Sequence, residues 1–447
     1  MKKKSASQSA FFTLRILTGL FLALAGVHMT FGGALMANIT AGAITDTCTW
    51  SSGPDMPSAG VRLVGVYFPA NGKFYEMGGR SSDSVGSDFT HPFEYDPGTN
   101  TWTTKSATYP DATVNNMACG VLTESGTPYI YCVGGSQATF TTATARVFRY
   151  NPVTDTITTL TAADNWPGDV AGTILPGGFA VANNELFILG GFDILVSSTN
   201  QIWQFDPTAA VGSKWTQKVN TPQGIMYAPT CSIGGIIYVA GASDFDSAAG
   251  TVIDTTNSFS FNPGANTIGT IATIPRATGE TRALNFNGQM LVMGGGRVAP
   301  NPSNEVDVYD PGSNTWSTSV PPFSTARRNF PTDTDGTSRI WLAGGYDINI
   351  APLSSMEIFE CTTSGEITLS ASARGQGGRR RVALSWTPAD GGSINVLRDG
   401  VVLRTVDDNG SAQDHLGSGP KEVHTYQVCE TDTGNCSNEV KVKVPGQ

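Results

Sequence analysis

Six times between Phe74 and Gly345 a β-rich run ends in a doublet of small residues. The runs are Phe74–Gly79, Ile130–Gly135, Leu186–Gly191, Ile237–Ala242, Met290–Gly295 and Ile340–Gly345, and only the fourth closes on Gly-Ala. The first glycines lie 56, 56, 51, 53 and 50 residues apart. After each doublet comes an aromatic residue, in five copies leading into an Asx-Pro turn: Tyr95, Tyr150, Phe205, Phe261 and Tyr309. Seven residues later stands Trp102, Ile157, Ile268 or Trp316, while an insertion delays Trp215. A proline then opens the next copy. Short β-rich runs bounded by Gly, Pro and Asx predict about four strands per copy. One such sheet cannot bury both of its faces, so a period near 50 requires the copies to stack on one another.

Composition fits that reading. Charged residues make up 14% of the 447, well below the ~25% of an average soluble domain. The 52 glycines and 25 prolines supply turns without reaching the range of disordered chains. A coiled coil, a polyampholyte tail and a collagen are excluded. The length suggests two or three domains. The net charge of −10 argues against a nucleic-acid partner, because phosphate binding needs a basic face.

The doublet, the Tyr-Asp pair and the tryptophan at this period resemble the kelch motif. The resemblance implies an all-β fold: a six-bladed kelch-type β-propeller, with one four-stranded blade per copy, over residues 46–362. The sixth copy has Phe359 but no tryptophan strand after it. Trp50 stands seven residues before Pro57, the offset that separates Ile268 from Pro275 and Trp215 from Pro222. Residues 48–51 are therefore expected to supply the outer strand of the sixth blade and close the ring. Cys361 follows Phe359 closely, so a Cys48–Cys361 disulfide would lock that closure. Cys119 and Cys132 flank a turn at 124–127 and would pair across a hairpin, leaving Cys231 free.

The N-terminus reads as a signal peptide over 1–37. Lys2, Lys3, Lys4 and Arg15 precede the apolar run Ile16–Val27, and small residues follow near Ala34 and Ala37. Cleavage after Ala37 or Ala43 fits, as does an uncleaved anchor. Either way the rest is exported, to the periplasm or outside the cell, where cysteine pairs read as disulfides. Loss of 1–37 would leave 23 basic against 37 acidic residues, a charge of −14, and no stable membrane span.

After Cys361 the rhythm changes. Residues 366–445 read as alternating strands at 367–371, 382–386, 393–398, 401–405, 425–430 and 439–444. Leu384-Ser385-Trp386 and Tyr426-Gln427-Val428-Cys429 make the segment resemble a small fibronectin type III or immunoglobulin-like β-sandwich. A Cys429–Cys436 disulfide is expected across its last hairpin. Arg379–Arg381 is expected as a solvated loop at a strand edge.

Catalytic motifs are absent: no His-Glu-x-x-His, Cys-x-x-Cys, Gly-x-Ser-x-Gly or phosphate loop occurs. His91 is the one histidine in the repeats. Copper oxidases that resemble kelch propellers use two, so that site is excluded. No sialidase-type Asp box occurs. Asp333–Gly336 reads as a hairpin turn, and Asp244 with Asp246 gives too few ligands for calcium. No cofactor is expected.

The informative constellation is a ring. The fifth residue after each repeat proline should begin an innermost strand at the channel mouth: Arg62, Asn115, Gly172, Tyr227, Glu280 and Arg327, with Arg328 and Arg282 close by. Scaffold positions repeat, whereas these vary, as a ligand site can. Arg62 and Arg327 suit a carboxylate or sugar acid. Glu280 is a candidate general base or hydroxyl acceptor. Arg80, Asp193, Ser243, Arg297 and Asp347, just after the doublets, should face the same end. The expectation is a non-catalytic recognition protein for an extracellular glycan or protein. The alternatives are a sugar-acid epimerase or mutarotase using Glu280, and a protein–protein adaptor using apolar loops such as Phe192–Val196. A ring of polar groups that serves only backbone and water is the bland reading.

Overall fold

The computed structural model describes residues 47–139, 141–297, 301–362, 367–376, 379–389, 392–431 and 434–446. The signal peptide expected over 1–37 lies outside the described residues. Six four-stranded antiparallel sheets follow one another. The first consists of Val64–Phe68, Lys73–Met77, Phe93–Asp96 and Thr101–Thr104 in sequence order, and four others repeat that meander. The sixth differs: Thr332–Thr334, Arg339–Ala343 and Met356–Thr362 are completed by Thr47–Ser52 from the other end of the described chain. Trp50 pairs with Phe359 and Cys48 with Cys361 in that register, and the two cysteines form a disulfide. The first strands of neighbouring sheets pack side by side, and the sixth packs on the first, so the ring is closed.

The repeated residues explain the shared form. In the first, third, fifth and sixth sheets the aromatic of the third strand meets the tryptophan of the fourth: Tyr95–Trp102, Phe205–Trp215, Tyr309–Trp316 and Trp50–Phe359, at 5.0–5.3 Å. Each indole N–H then donates to a carbonyl of the preceding connection, at Pro54, Asp164, Ala272 and Pro321 respectively. Between sheets lie layers of buried apolar side chains. The doublets are glycine for a steric reason. Gly78 has φ +70°, and a Cβ there would lie 2.1 Å from the carbonyl oxygen of Val114, in the connection leading to the next sheet.

Residues 368–444 form two further sheets. One holds Thr368–Gln376, Arg379–Thr387 and Ser411–Gly417; the other holds Val401–Asp407, Ser393–Arg398, Glu422–Glu430 and Val440–Val444. Trp386, Tyr426 and the valines around them make their core. Trp386 donates to Asp408 at 2.5 Å and Tyr426 to Asp414 at 2.7 Å. Two expectations are corrected. Strand Ser411–Gly417 was not foreseen, because its exposed Gln413 and His415 alternate with only modestly apolar Ala412 and Leu416. Arg379–Arg381 is no solvated loop: it begins a strand, and Arg380 is buried, donating to the Gly417 and Pro420 carbonyls and pairing with Glu422.

Cys119 pairs with Cys132 and Cys429 with Cys436, while Cys231 is free and buried. No helix among the described residues is long and apolar enough to cross a membrane.

Candidate functional site at the channel mouth

Every innermost strand is entered through a residue with positive φ: Arg62, Asn116, Gly172, Tyr227, Glu280 and Asn329. Their backbones link around the axis. Asn116 N–H donates to Arg62 O, Arg62 to Asn329 O, Asn329 to Glu280 O and Glu280 to Tyr227 O, at 2.7–3.1 Å. Glycine and asparagine accept this conformation readily, whereas arginine, tyrosine and glutamate are strained in it, by about 1–3 kcal/mol each. The five non-glycine side chains line one narrow void on the axis.

Four of the six residues found by counting from the prolines therefore stand on the ring. Asn115 and Arg327 do not. The connection from Pro110 is one residue longer, and that from Pro322 two longer, which puts Asn116 and Asn329 on the ring. Asn115 is buried, with its amide on Asp88 and the Ser136 carbonyl. Arg327 is 0% exposed and donates to Glu357 and the Gly344 and Ser355 carbonyls, so it cannot meet a ligand. The preference of asparagine for left-handed backbone was the signal that could have corrected both.

Glu280 is the electrostatic centre. Its side chain is 1% exposed. Arg297 Nε meets Oε1 at 3.0 Å, and Arg328 and the Asn329 amide share Oε2. With both oxygens held by donors, this carboxylate acts as a strut for Arg297 and Arg328. Arg328 also lies over the Tyr346 ring, 4.9 Å from its centroid. Tyr346 was missed in the sequence because it sits one position before Asp347, the residue singled out after that doublet.

Arg62 is different. It makes no ion pair among the described residues, and its Nε is buried without a hydrogen-bond partner. Burial pulls its pKa down, but Tyr227, Tyr346 and Glu280 outweigh this and raise it. Tyr227 is pushed up, chiefly by burial. A cavity of about 220 Å³ opens above Arg62, Tyr227, Glu280 and Arg297, walled by Phe192, Phe245 and Val252. Phe245 and Val252 come from an extra hairpin, Ser243–Asp246 with Thr251–Asp254. The longer stretch after Gly241 was its only sequence trace.

The other residues after the doublets are structural or peripheral. Arg80 pairs with Asp83, which also accepts from the Tyr346 hydroxyl. Ser243 is buried, Asp347 ties its own turn, and Asp193 ends a strand. The expected turn at Asp333–Gly336 lies further on, because Asp333 and Thr334 belong to the strand Thr332–Thr334; Asp335 caps the turn between that strand and Arg339–Ala343, accepting from the backbone of Thr337, Ser338 and Arg339.

Residues 279–322, spanning the fifth sheet, match the Kelch motif family. The chain is similar in fold to the solved structure titled "Structure of YjhT", with 15% identity, a TM-score of 0.52, and 68% of this chain and 95% of that one covered. No curated protein matches. The ring of sheets is a β-propeller in fold, and its fifth sheet carries a Kelch motif.

Proposed function

We propose that this chain is an exported recognition protein, a six-bladed kelch propeller followed by a fibronectin III-like module, which binds a carboxylate-bearing glycan at the channel mouth without turning it over. The carrying observation is Arg62, a guanidinium held on a strained ring residue beneath an open cavity, which makes no ion pair among the described residues. Arg297 and Tyr227 stand beside it to take further oxygens. Glu280 is occupied by two arginines and an amide, which supports binding over acid–base catalysis. Three disulfides support an oxidising compartment.

A second reading, a protein ligand, is favoured by exposed aliphatic residues on the loops around the same mouth: Leu195, Val196, Ile348 and Ile350.

The test is a glycan array with the mature protein and an Arg62→Ala variant of unchanged melting temperature. Acidic glycans retained by the protein and lost by the variant are the expected result. Binding that survives Arg62→Ala would remove the site from the mouth. Conversion of the bound sugar, abolished by Glu280→Gln, would turn the reading into an epimerase or mutarotase. No glycan binding would leave the protein-ligand reading.

A further inference from the structure

We propose that the opposite end of the channel holds a second, separate site, which takes a singly charged organic carboxylate on Arg282. The innermost strands run away from the mouth, and their far halves enclose a cavity of about 490 Å³. Arg282 stands at its inner end, bordering also the narrow void below the ring. It breaks the scaffold pattern. Opposite the residue before the doublet, the first three sheets carry Val64, Ala118 and Gly178, whereas the fifth carries Arg282 against Met293. Nothing in the repeat geometry asks for a cation there.

The guanidinium lies over the Phe179 ring, 3.6 Å from its centroid, and forms no ion pair among the described residues. Its Nε is buried without a partner. Asp333 lines the same cavity, but its oxygens accept the Tyr67 and Thr334 N–H groups at 2.7 and 2.9 Å. Burial pushes Arg282 down to about 10 and Asp333 up to about 6. A desolvated guanidinium that feels Asp333 but makes no ion pair among the described residues favours an anion that supplies two acceptor oxygens in its plane.

Charge and size narrow the class. A doubly charged phosphate would meet one cation and a nearby acidic side chain, so a single negative charge fits better. At about 30 Å³ per water, the cavity is far larger than an ion needs. Its walls combine Val66, Val121 and Val181 with Thr230 and Ser232, which suits a carboxylate on a compact organic body. This site shares no ligand-binding residue with the mouth, so either can fail alone.

The experiment is calorimetric titration of the mature protein with sodium benzoate, its neutral isostere benzamide, and inorganic phosphate. Benzoate is expected to bind, with benzamide and phosphate weaker. Arg282→Met should weaken benzoate at least about tenfold, as expected for loss of a charge-assisted pair. The titrations are repeated in the Arg62→Ala background, which lacks the guanidinium at the mouth, and the Arg282-dependent binding of benzoate should remain there. Ser232→Trp, which fills the cavity and leaves the arginine in place, should abolish binding if Arg282→Met does not fold. Equal binding of benzamide, insensitivity to both cavity variants, loss in Arg62→Ala, or no benzoate binding at millimolar concentration would each overturn the proposal.

Discussion

The outer and inner halves of the propeller blades obey different rules. In the outer half, third-strand aromatics and fourth-strand tryptophans recur with the same ring contacts and the same indole-to-carbonyl bond to the preceding connection. In the inner half, equivalent ring positions hold arginine, asparagine, glycine, tyrosine and glutamate. Six copies of one packing problem have one solution, so the outer residues converge. The axis is shared by all the sheets of the ring, and a residue there answers to its counterparts and to whatever enters the channel. A departure from the repeat therefore means little at the rim and a great deal near the axis.

The largest effect should come where an inner-half charge is wholly structural. Arg327→Met would strand Glu357, which is buried and otherwise held by the Ser324 and Thr325 N–H groups. Breaking one side of a buried pair costs about 3–5 kcal/mol. Chemical denaturation should show that loss, and an Arg327→Met/Glu357→Met double variant should recover much of it. A loss below about 1 kcal/mol for the single change would return Arg327 to the functional candidates.

Ring closure comes next. Cys48→Ser with Cys361→Ser removes the link between the two ends of the propeller, whose separation is 313 residues. A loss of about 2–4 kcal/mol is expected. The strand pairing of Thr47–Ser52 remains, so a reversible melt at lower temperature should be seen. An unchanged melt in the double serine variant would mean that strand pairing alone closes the ring.

How far the sequence could be read follows the same division. The strand order within each blade was legible because doublets, turns and tryptophans are local and repeated. The place of Trp50 was legible because the repeat leaves one vacancy that its offset fits. The mouth was legible only in part. Counting from prolines treats connections as equal in length, and one or two extra residues displaced Asn115 and Arg327 from the axis. The pairing of Glu280 with Arg297 and Arg328 joins separate segments that only the closed ring brings together. In the C-terminal module, Ser411–Gly417 was lost because an edge strand with one modest face carries little periodic signal.

Glu76 sharpens the comparison from inside the scaffold. Its counterparts before the other doublets are Cys132, Ile188, Val239, Val292 and Leu342. It is 0% exposed, neither carboxyl oxygen has a hydrogen-bond partner, and burial raises its pKa well above 4.5. The folded state thus binds this proton more tightly than the unfolded one. Stability is fully present below the unfolded pKa and falls as pH rises from there toward the folded value. Glu76→Leu should gain about 1–3 kcal/mol near pH 7 and much less near pH 4. A gain independent of pH would point to packing as its source.

The smallest effect tests how redundant the rim is. In the fifth blade the backbone of Ala272 is gripped twice: Trp316 Nε1 donates to its carbonyl at 2.8 Å, and its N–H donates to Asn314 Oδ1 at 2.7 Å. In the second and fourth blades isoleucine replaces the tryptophan, yet the second grip persists. Asp155 accepts from Ser106 at 2.8 Å, and Asn266 from Val219 at 2.9 Å. Nature has therefore already removed the indole bond from two blades. Trp316→Phe keeps most of the ring packing against Tyr309 and loses one hydrogen bond, so about 1 kcal/mol is expected. Adding Asn314→Gly, which is free at that residue's φ of +55°, should cost more in the Trp316→Phe background than in the parent, because the second grip is then the last. Strict additivity in that double-mutant cycle would mean that the two grips act independently, and that the rim tolerates change for reasons of packing alone.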